Sequence, residues 1–262
     1  MGYIDIVKNE YIKEILHKGI RDDGRKFMQY RSIRASVGTI PNAEGSAEVN
    51  IGNTKVLAGI KIDVDTPMPD KPEEGNLIVS AELLPLASPD YDIGPPSPAA
   101  IELARVVDRG IRAANILDTQ SLFIEKDKVW SVFIDIYVLN YDGNLFDAST
   151  LSAVAALLHT RQPKYEEEKV IREGTLPKLK TNGMVTSCTF GKINGNILLD
   201  PDGSEESIMD TRLTIANDEN NNIKAMQKGL HGTFSIKEVE SMIDTTFDKS
   251  KDLRSVLSSL EN

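Results

Sequence analysis

The sequence predicts an α+β fold with mixed and antiparallel sheets and helices packed on them, and three observations carry that expectation. Strand-like alternation comes in adjacent runs joined by short turns, not one strand per helix. Only a few stretches keep a helical 3.6-residue period over many residues. The order of the two kinds of segment is not the strict βαβ alternation of a parallel doubly wound sheet. At 262 residues, with 40% hydrophobic and 27% charged side chains, the chain reads as an ordinary soluble protein able to bury one large core or two modest ones.

Each element has a local reason. Residues 4–18 form an amphipathic pattern, with Val7, Tyr11, Ile12 and Ile15 on one face, ended by Gly19 and the polar loop "RDDGRKF". Alternation over 30–65 includes "SAEVNIG", a Gly52-Asn53 turn and "KVLAGIKIDV"; "NLIVSAELLPLAS" supplies another strand. The loop "SPDYDIGPPSP" leads into a helix over about 98–117, with Pro98 placed in its first turn. The buried strand "KVWSVFIDIYVLNYD" then reaches an Asp142-Gly143 turn and a buried helix, "LFDASTLSAVAALL", for which Asp147 is a good N-cap. Residues 161–182 are charged and broken by proline, so the boundary between a first unit, 1–165, and a second, 166–262, is placed there. Beyond it come a hairpin turning at Asn194-Gly195, an acidic stretch, two strands around "TRLTIAND" and "IKAMQKG", and a last helix over about 235–260.

Composition excludes several classes. No apolar run approaches the ~20 residues that span a bilayer, and the charged N-terminus is neither a signal nor a transit peptide. Met1-Gly2 is not a myristoylation start, since Ile6 stands where Ser or Thr is needed. The lone Cys188 rules out an internal disulfide framework and favours a reducing, cytoplasmic setting. His17, His159 and His231 are too scattered for a zinc site, and no cofactor or metal is expected. A net charge of −10 means that any nucleic acid is met by a local basic patch or by a surface shared with a more basic partner.

Three constellations could carry chemistry. On the 98–117 helix, Arg105, Arg109 and Arg112 fall within roughly a 60° arc, with Glu102 beside them. That stripe is either a solvated face paired locally with Glu102 and Asp108, or a ladder of guanidinium forks for phosphates. The stretch "LLDPDGSEESIMDTRL" holds Asp200, Asp202, Glu205, Glu206 and Asp210, with Arg212 near enough to neutralise one of them; its spacing is not that of an EF-hand, and the residues alone read as a solvated turn. The third is the start of the 145–158 helix, where free backbone N–H groups could cradle a phosphate. Leu145 and Phe146 cannot donate hydrogen bonds there, and Asp147 adds a negative charge, so a plugged helix start is expected instead.

Taken together, "RDDGR" at 21–25, "GNTKVLAGI" at 52–60, "IELARVVDRGIRAA" at 101–114, "LFDASTLSAVAAL" and "LLDPDGSEES" resemble the RNase PH family of phosphorolytic 3′-to-5′ exoribonucleases, in order and across nearly the whole chain. Within that family the chain looks most like the non-catalytic RNase PH-type ring subunit of the archaeal exosome. The resemblance implies the RNase PH fold, related to the second domain of ribosomal protein S5. It also implies a hexameric ring alternating with a catalytic sister subunit, exosome RNA-binding cap proteins on that ring, and single-stranded RNA met by Arg105, Arg109 and Arg112.

The departures from the family pattern imply loss of catalysis. Where active relatives read Gly-Thr-Arg or Gly-Ser-Arg after the Asp-Gly turn, this chain has Asn144, Leu145 and Phe146, a degenerate phosphate site. Where they carry aspartates at six-residue spacing, it has Asp200, Glu206 and Arg212, a degenerate acidic site. The usually basic loop before the arginine helix holds Asp90 and Asp92. The expectation is a chain with no catalytic residue of its own; the alternative is an active phosphate-dependent exoribonuclease forming its own ring.

Overall fold

A computed structural model describes residues 3–260, with side chains from Asn9 onward. Helix α1 (Tyr3–His17) leads, burying Ile12 and Leu16 against Ile193 and Leu198 of the second sheet; Val7 and the Met1-Gly2 start lie outside the described side chains.

The first sheet is mixed. Strands β1 (Ile33–Val37), β2 (Gly45–Ile51) and β3 (Thr54–Asp65) form an antiparallel meander, and β6 (Lys128–Asn140) pairs antiparallel with β3. The edge strand β4 (Asn76–Leu83) lies parallel to β6, reached by a crossover through α2 (Pro98–Ala113); the short β5 (Phe123–Glu125) also pairs with β6. The second sheet, in order β10-β9-β11-β12, is fully antiparallel, built from β9 (Val185–Ile193), β10 (Asn196–Leu199), β11 (Thr211–Asp218) and β12 (Ile223–Gly229).

Helix α3 (Leu145–Leu158) lies between the two sheets, touching β2 and β3 on one side and β9 on the other. Every one of its residues is buried, which is why its sequence is apolar or small on all faces and not striped. Ser152 reconciles its hydroxyl with that position by donating to the Ala47 carbonyl at 3.0 Å. Helix α2 does carry a stripe: Leu103, Val107, Gly110 and Ile111 face inward onto β4, α3 and β12, and its arginines face out. Helix α5 (Ile236–Ser259), capped by a Ser235–Glu238 box, covers β9 and β11.

Two local expectations differ from what the chain does. The 161–182 stretch is not featureless: β7 (Lys164–Glu166) and β8 (Lys169–Ile171) form a hairpin. Its turn residues Glu167 and Glu168 both adopt positive φ, 50° and 60°, a conformation usually signalled by Asn-Gly, so the composition hid it. The acidic stretch is not a solvated turn either. It folds into a one-turn helix, α4 (Gly203–Glu206), and Asp200 and Glu205 are buried.

Candidate functional site

The site grows from the joint between β6 and α3. Gly143 (φ 79°) and Asn144 (φ 52°) are both left-handed, which turns the chain sharply into the helix. Glycine is required at 143 twice over: besides its φ, a Cβ there would lie 2.5 Å from the Pro201 carbonyl oxygen and 2.4 Å from the Asp202 carbonyl carbon. Asn144, not Asp147, is the N-cap, its side-chain oxygen accepting from the Asp147 N–H at 3.4 Å.

Asp147 therefore does not place its charge at the exposed helix start as expected. It turns inward and accepts from the Tyr30 hydroxyl (2.8 Å), the Ser187 and Thr189 hydroxyls (2.9 and 2.8 Å), the Thr189 N–H (2.9 Å) and the Asn144 amide (2.9 Å). Complete burial lifts its carboxyl to about 6, against the pull of these donors. The residue ties α3 to β9 and is not a charge set to repel an anion at the helix start.

Glu206 takes that place. The Asn144 N–H, the backbone donor at the helix start, points to Glu206 Oε1 at 2.8 Å, and the Tyr141 hydroxyl donates to Oε2 at 2.7 Å. Burial raises the Glu206 carboxyl above the ordinary glutamate range while these two donors pull it down, and burial beside Glu206 pushes the Tyr141 phenol up. Leu145 and Phe146 are buried beside it, 9% and 7% exposed. The Arg212 guanidinium lies over the Phe146 ring, 4.1 Å from its centroid, and pairs with Glu102 of α2 at 2.6 Å. Arg212 thus bonds a carboxylate on another element, not one of the acidic stretch, and Glu102 does not pair with the arginines of its own stripe.

Asp200 sits one layer deeper. Arg31 grips it with two parallel bonds, Nε to Oδ2 at 2.9 Å and Nη2 to Oδ1 at 2.8 Å, and Arg25 adds one from Nη1 at 2.9 Å. Asn144 completes the set with its amide on Oδ1 at 2.7 Å. Burial pushes the Asp200 carboxyl up, but the hydrogen bonds and charge of Arg31 outweigh it and hold the group below the ordinary aspartate range. Arg21, itself buried, pairs with Glu205 through Nε at 2.8 Å and Nη2 at 2.5 Å, and donates to the Leu199 and Asp200 carbonyls at 2.8 Å. The "RDDGR" arginines are therefore the counterions of the acidic stretch. Sequence reasoning quoted the motif without finding this pairing, because the partners lie more than 170 residues apart.

The arginine stripe is exposed on α2, and its members differ in their partners. Arg112 is neutralised by Asp108 at 2.7 Å and donates to the Leu77 carbonyl at 2.9 Å. Arg109 donates to the neutral side chain of Gln227 on β12 at 2.8 Å. Arg105 forms no hydrogen bond or ion pair among the described residues, and it borders a shallow groove with Pro98, Ile101, Arg109 and Gln227. Asp90 and Asp92 stand exposed on the loop before α2. The stripe's helix and the start of α3 are linked through Glu102, Arg212 and the Phe146 ring.

Two stacked layers of this topology, an α3 start built on a Gly-Asn joint, and an acidic turn laid over it define a recognisable class. The models of the 3′ exoribonuclease family match residues 29–163 (domain 1, RNase PH) and 183–249 (domain 2). The chain belongs to the RNase PH, or 3′ exoribonuclease, family. It is similar to the exosome complex component Rrp42 of Thermococcus gammatolerans, 46% identical over 96% of this chain and 94% of the relative. It is also 44% identical to the Rrp42 component of Methanopyrus kandleri, over 95% of this chain and 93% of that one. Among solved structures it resembles a chain of the Archaeoglobus fulgidus exosome with RNA bound to the active site, with TM-score 0.90, 38% identity, and 97% and 99% of the two chains covered. No helix among the described residues is long and apolar enough to cross a membrane.

Proposed function

We propose that this chain is a non-catalytic, RNA-binding subunit of an exosome core in the cytoplasm. It alternates with a catalytic RNase PH-type sister subunit in a hexameric ring, a trimer of heterodimers that degrades single-stranded RNA by 3′-to-5′ phosphorolysis beneath RNA-binding cap proteins. The names of its relatives support the assembly, and one observation supports the division of labour. The Asn144 backbone N–H, at the position that would hold an attacking orthophosphate, is already bonded to Glu206, and the buried Leu145 and Phe146 that follow have no side-chain donor. Asn144, Leu145 and Phe146 then form a degenerate phosphate site, and Asp200, Glu206 and Arg212 a degenerate acidic one. The reading as an active enzyme with its own ring requires a phosphate ligand set that these positions do not provide.

What remains for the chain is to guide substrate. On a protein of net charge −10, phosphates need a local cationic surface, and the α2 stripe supplies one through Arg105 and Arg109, with Arg112, paired to Asp108, at its end. Holding the RNA backbone in register beside the partner's reacting groups lowers the entropic part of the barrier without any bond chemistry here. The division of the chain near residue 165 follows the same proposal, each unit bringing one of the two large sheets and the β7–β8 hairpin spanning the boundary. Co-expression with a catalytic RNase PH-type exosome subunit, followed by mass measurement, tests the assembly: a heterohexamer is expected, and a stable homohexamer of this chain that ignores the partner would overturn it.

A further inference from the structure

The arginines around the stripe are held in two different ways. Arg112 and Arg212 face carboxylates, Asp108 and Glu102, which cancel their charge. Arg109 instead donates Nη1 to Gln227 Oε1 at 2.8 Å, across from helix α2 to strand β12. An amide oxygen accepts one guanidinium N–H and leaves the full positive charge and the remaining donors facing outward. The Gln227 amide is itself steadied by its Nε2 donating to the Lys228 carbonyl, 3.4 Å away. Gln227 lies opposite Thr214 in the β11–β12 ladder, so its backbone position is fixed by the sheet.

We propose that Gln227 is a positioning residue for RNA: it holds Arg109 extended beside Arg105 without neutralising it. The proposal rests on the reading of the α2 stripe as an RNA surface and adds a specificity of charge to it. A long arginine side chain that is already held loses less rotamer freedom when it meets a phosphate, and binding is tighter for it. A glutamate at the same place would hold the guanidinium equally well and cancel its charge. The neutral acceptor is the feature that separates an anchored cation from an internal ion pair.

The test uses the ring assembled with its catalytic partner, a fluorescent oligoadenylate as the probe, and no phosphate, so that binding is read without turnover. Affinity is measured at several KCl concentrations for wild type, Arg109→Gln, Gln227→Glu, Gln227→Ala and the double variant Arg109→Gln/Gln227→Glu. The account expects Arg109→Gln and Gln227→Glu each to weaken binding several-fold and to lower the salt slope by about 0.7, the loss of one phosphate contact. Gln227→Ala should weaken binding less and leave the slope unchanged, because the charge persists without its anchor. In the double variant the second change should add nothing. If Arg109→Gln weakens binding while Gln227→Glu matches wild type at every salt concentration, Gln227 has no positioning role and the RNA surface stands. If Arg109→Gln itself binds as wild type does, the RNA reading of the stripe and this proposal fall together.

Discussion

The side chain of Glu206 lies 2.8 Å from the main-chain nitrogen of Asn144, a carboxylate of the acidic turn set against the backbone at the start of α3. A helix start attracts negative charge through its free N–H groups, and here the chain supplies that charge itself. The surrounding groups follow from this arrangement: Tyr141 steadies the carboxylate, and Arg212 caps the Phe146 ring beside it.

Gly143 makes the close approach of the acidic turn possible. Gly143→Ala places a Cβ against backbone atoms of Pro201 and Asp202 in a positive-φ conformation, and backbone cannot swing aside as a side chain tip can. A loss of more than about 2 kcal/mol in urea unfolding is expected, combining the left-handed strain with displacement of the turn.

Arg212 should not be replaceable by lysine. Arg212→Lys keeps a charge for Glu102 but loses the flat guanidinium over Phe146, 4.1 Å from the ring centroid. The expected loss is about 1 kcal/mol, mostly from the stacked contact, since lysine keeps a charge for Glu102, whose side chain is 37% exposed and screened by solvent. Thermal unfolding should show a fall of a few degrees.

Arg21 and Glu205 form a buried pair whose halves cannot be removed singly. Arg21→Met leaves the buried Glu205 carboxylate with only Arg25, 4.0 Å away, in place of its two-bond partner, and about 3 kcal/mol of destabilisation is expected. Adding Glu205→Leu should restore much of it, which equilibrium unfolding of the single and double variants measures.

Two buried aspartates a few ångströms apart should affect stability with opposite sign as pH changes. The Asp147 carboxyl sits at about 6 in the folded chain, above its ordinary value of 3.8, so between those values the folded state keeps a proton that the unfolded state has lost. Its contribution is favourable at low pH and declines as pH rises through 6, by about 3 kcal/mol in all. Asp200 is held below its ordinary value, so its contribution is present above pH 4 and is lost as pH falls through its folded pKa. Urea titrations from pH 3 to 7 should show Asp147→Asn removing a decline between pH 4 and 6, and Asp200→Asn removing a loss at the acid end.

Much of this molecule was readable from local pattern. The α2 stripe, the all-round burial of α3, the Asn194-Gly195 hairpin and the Ser235-started last helix each have a periodicity or a turn residue that declares them. The chemical reason for proposing a degenerate phosphate site was legible too, since the Leu145 and Phe146 side chains carry no hydrogen-bond donor. What stayed hidden was pairing across the chain. An isolated acidic stretch looks solvated until Arg21, Arg25 and Arg31 are brought over it by the fold, 169 or more residues away in sequence. Asp147 read as a cap because local rules place aspartate there, whereas the left-handed Asn144 took that role and freed Asp147 for β9. Gln227 gave no signal at all, since one glutamine on an edge strand is unremarkable until Arg109 meets it.

The claim on which the account depends is that the pocket at the start of α3 is filled by the chain's own groups and performs no phosphate attack. The purified chain, free of any partner subunit, should be incubated with single-stranded RNA and orthophosphate, and released nucleoside diphosphates quantified. The account predicts none above background. Sustained, phosphate-dependent release by the lone chain would contradict it.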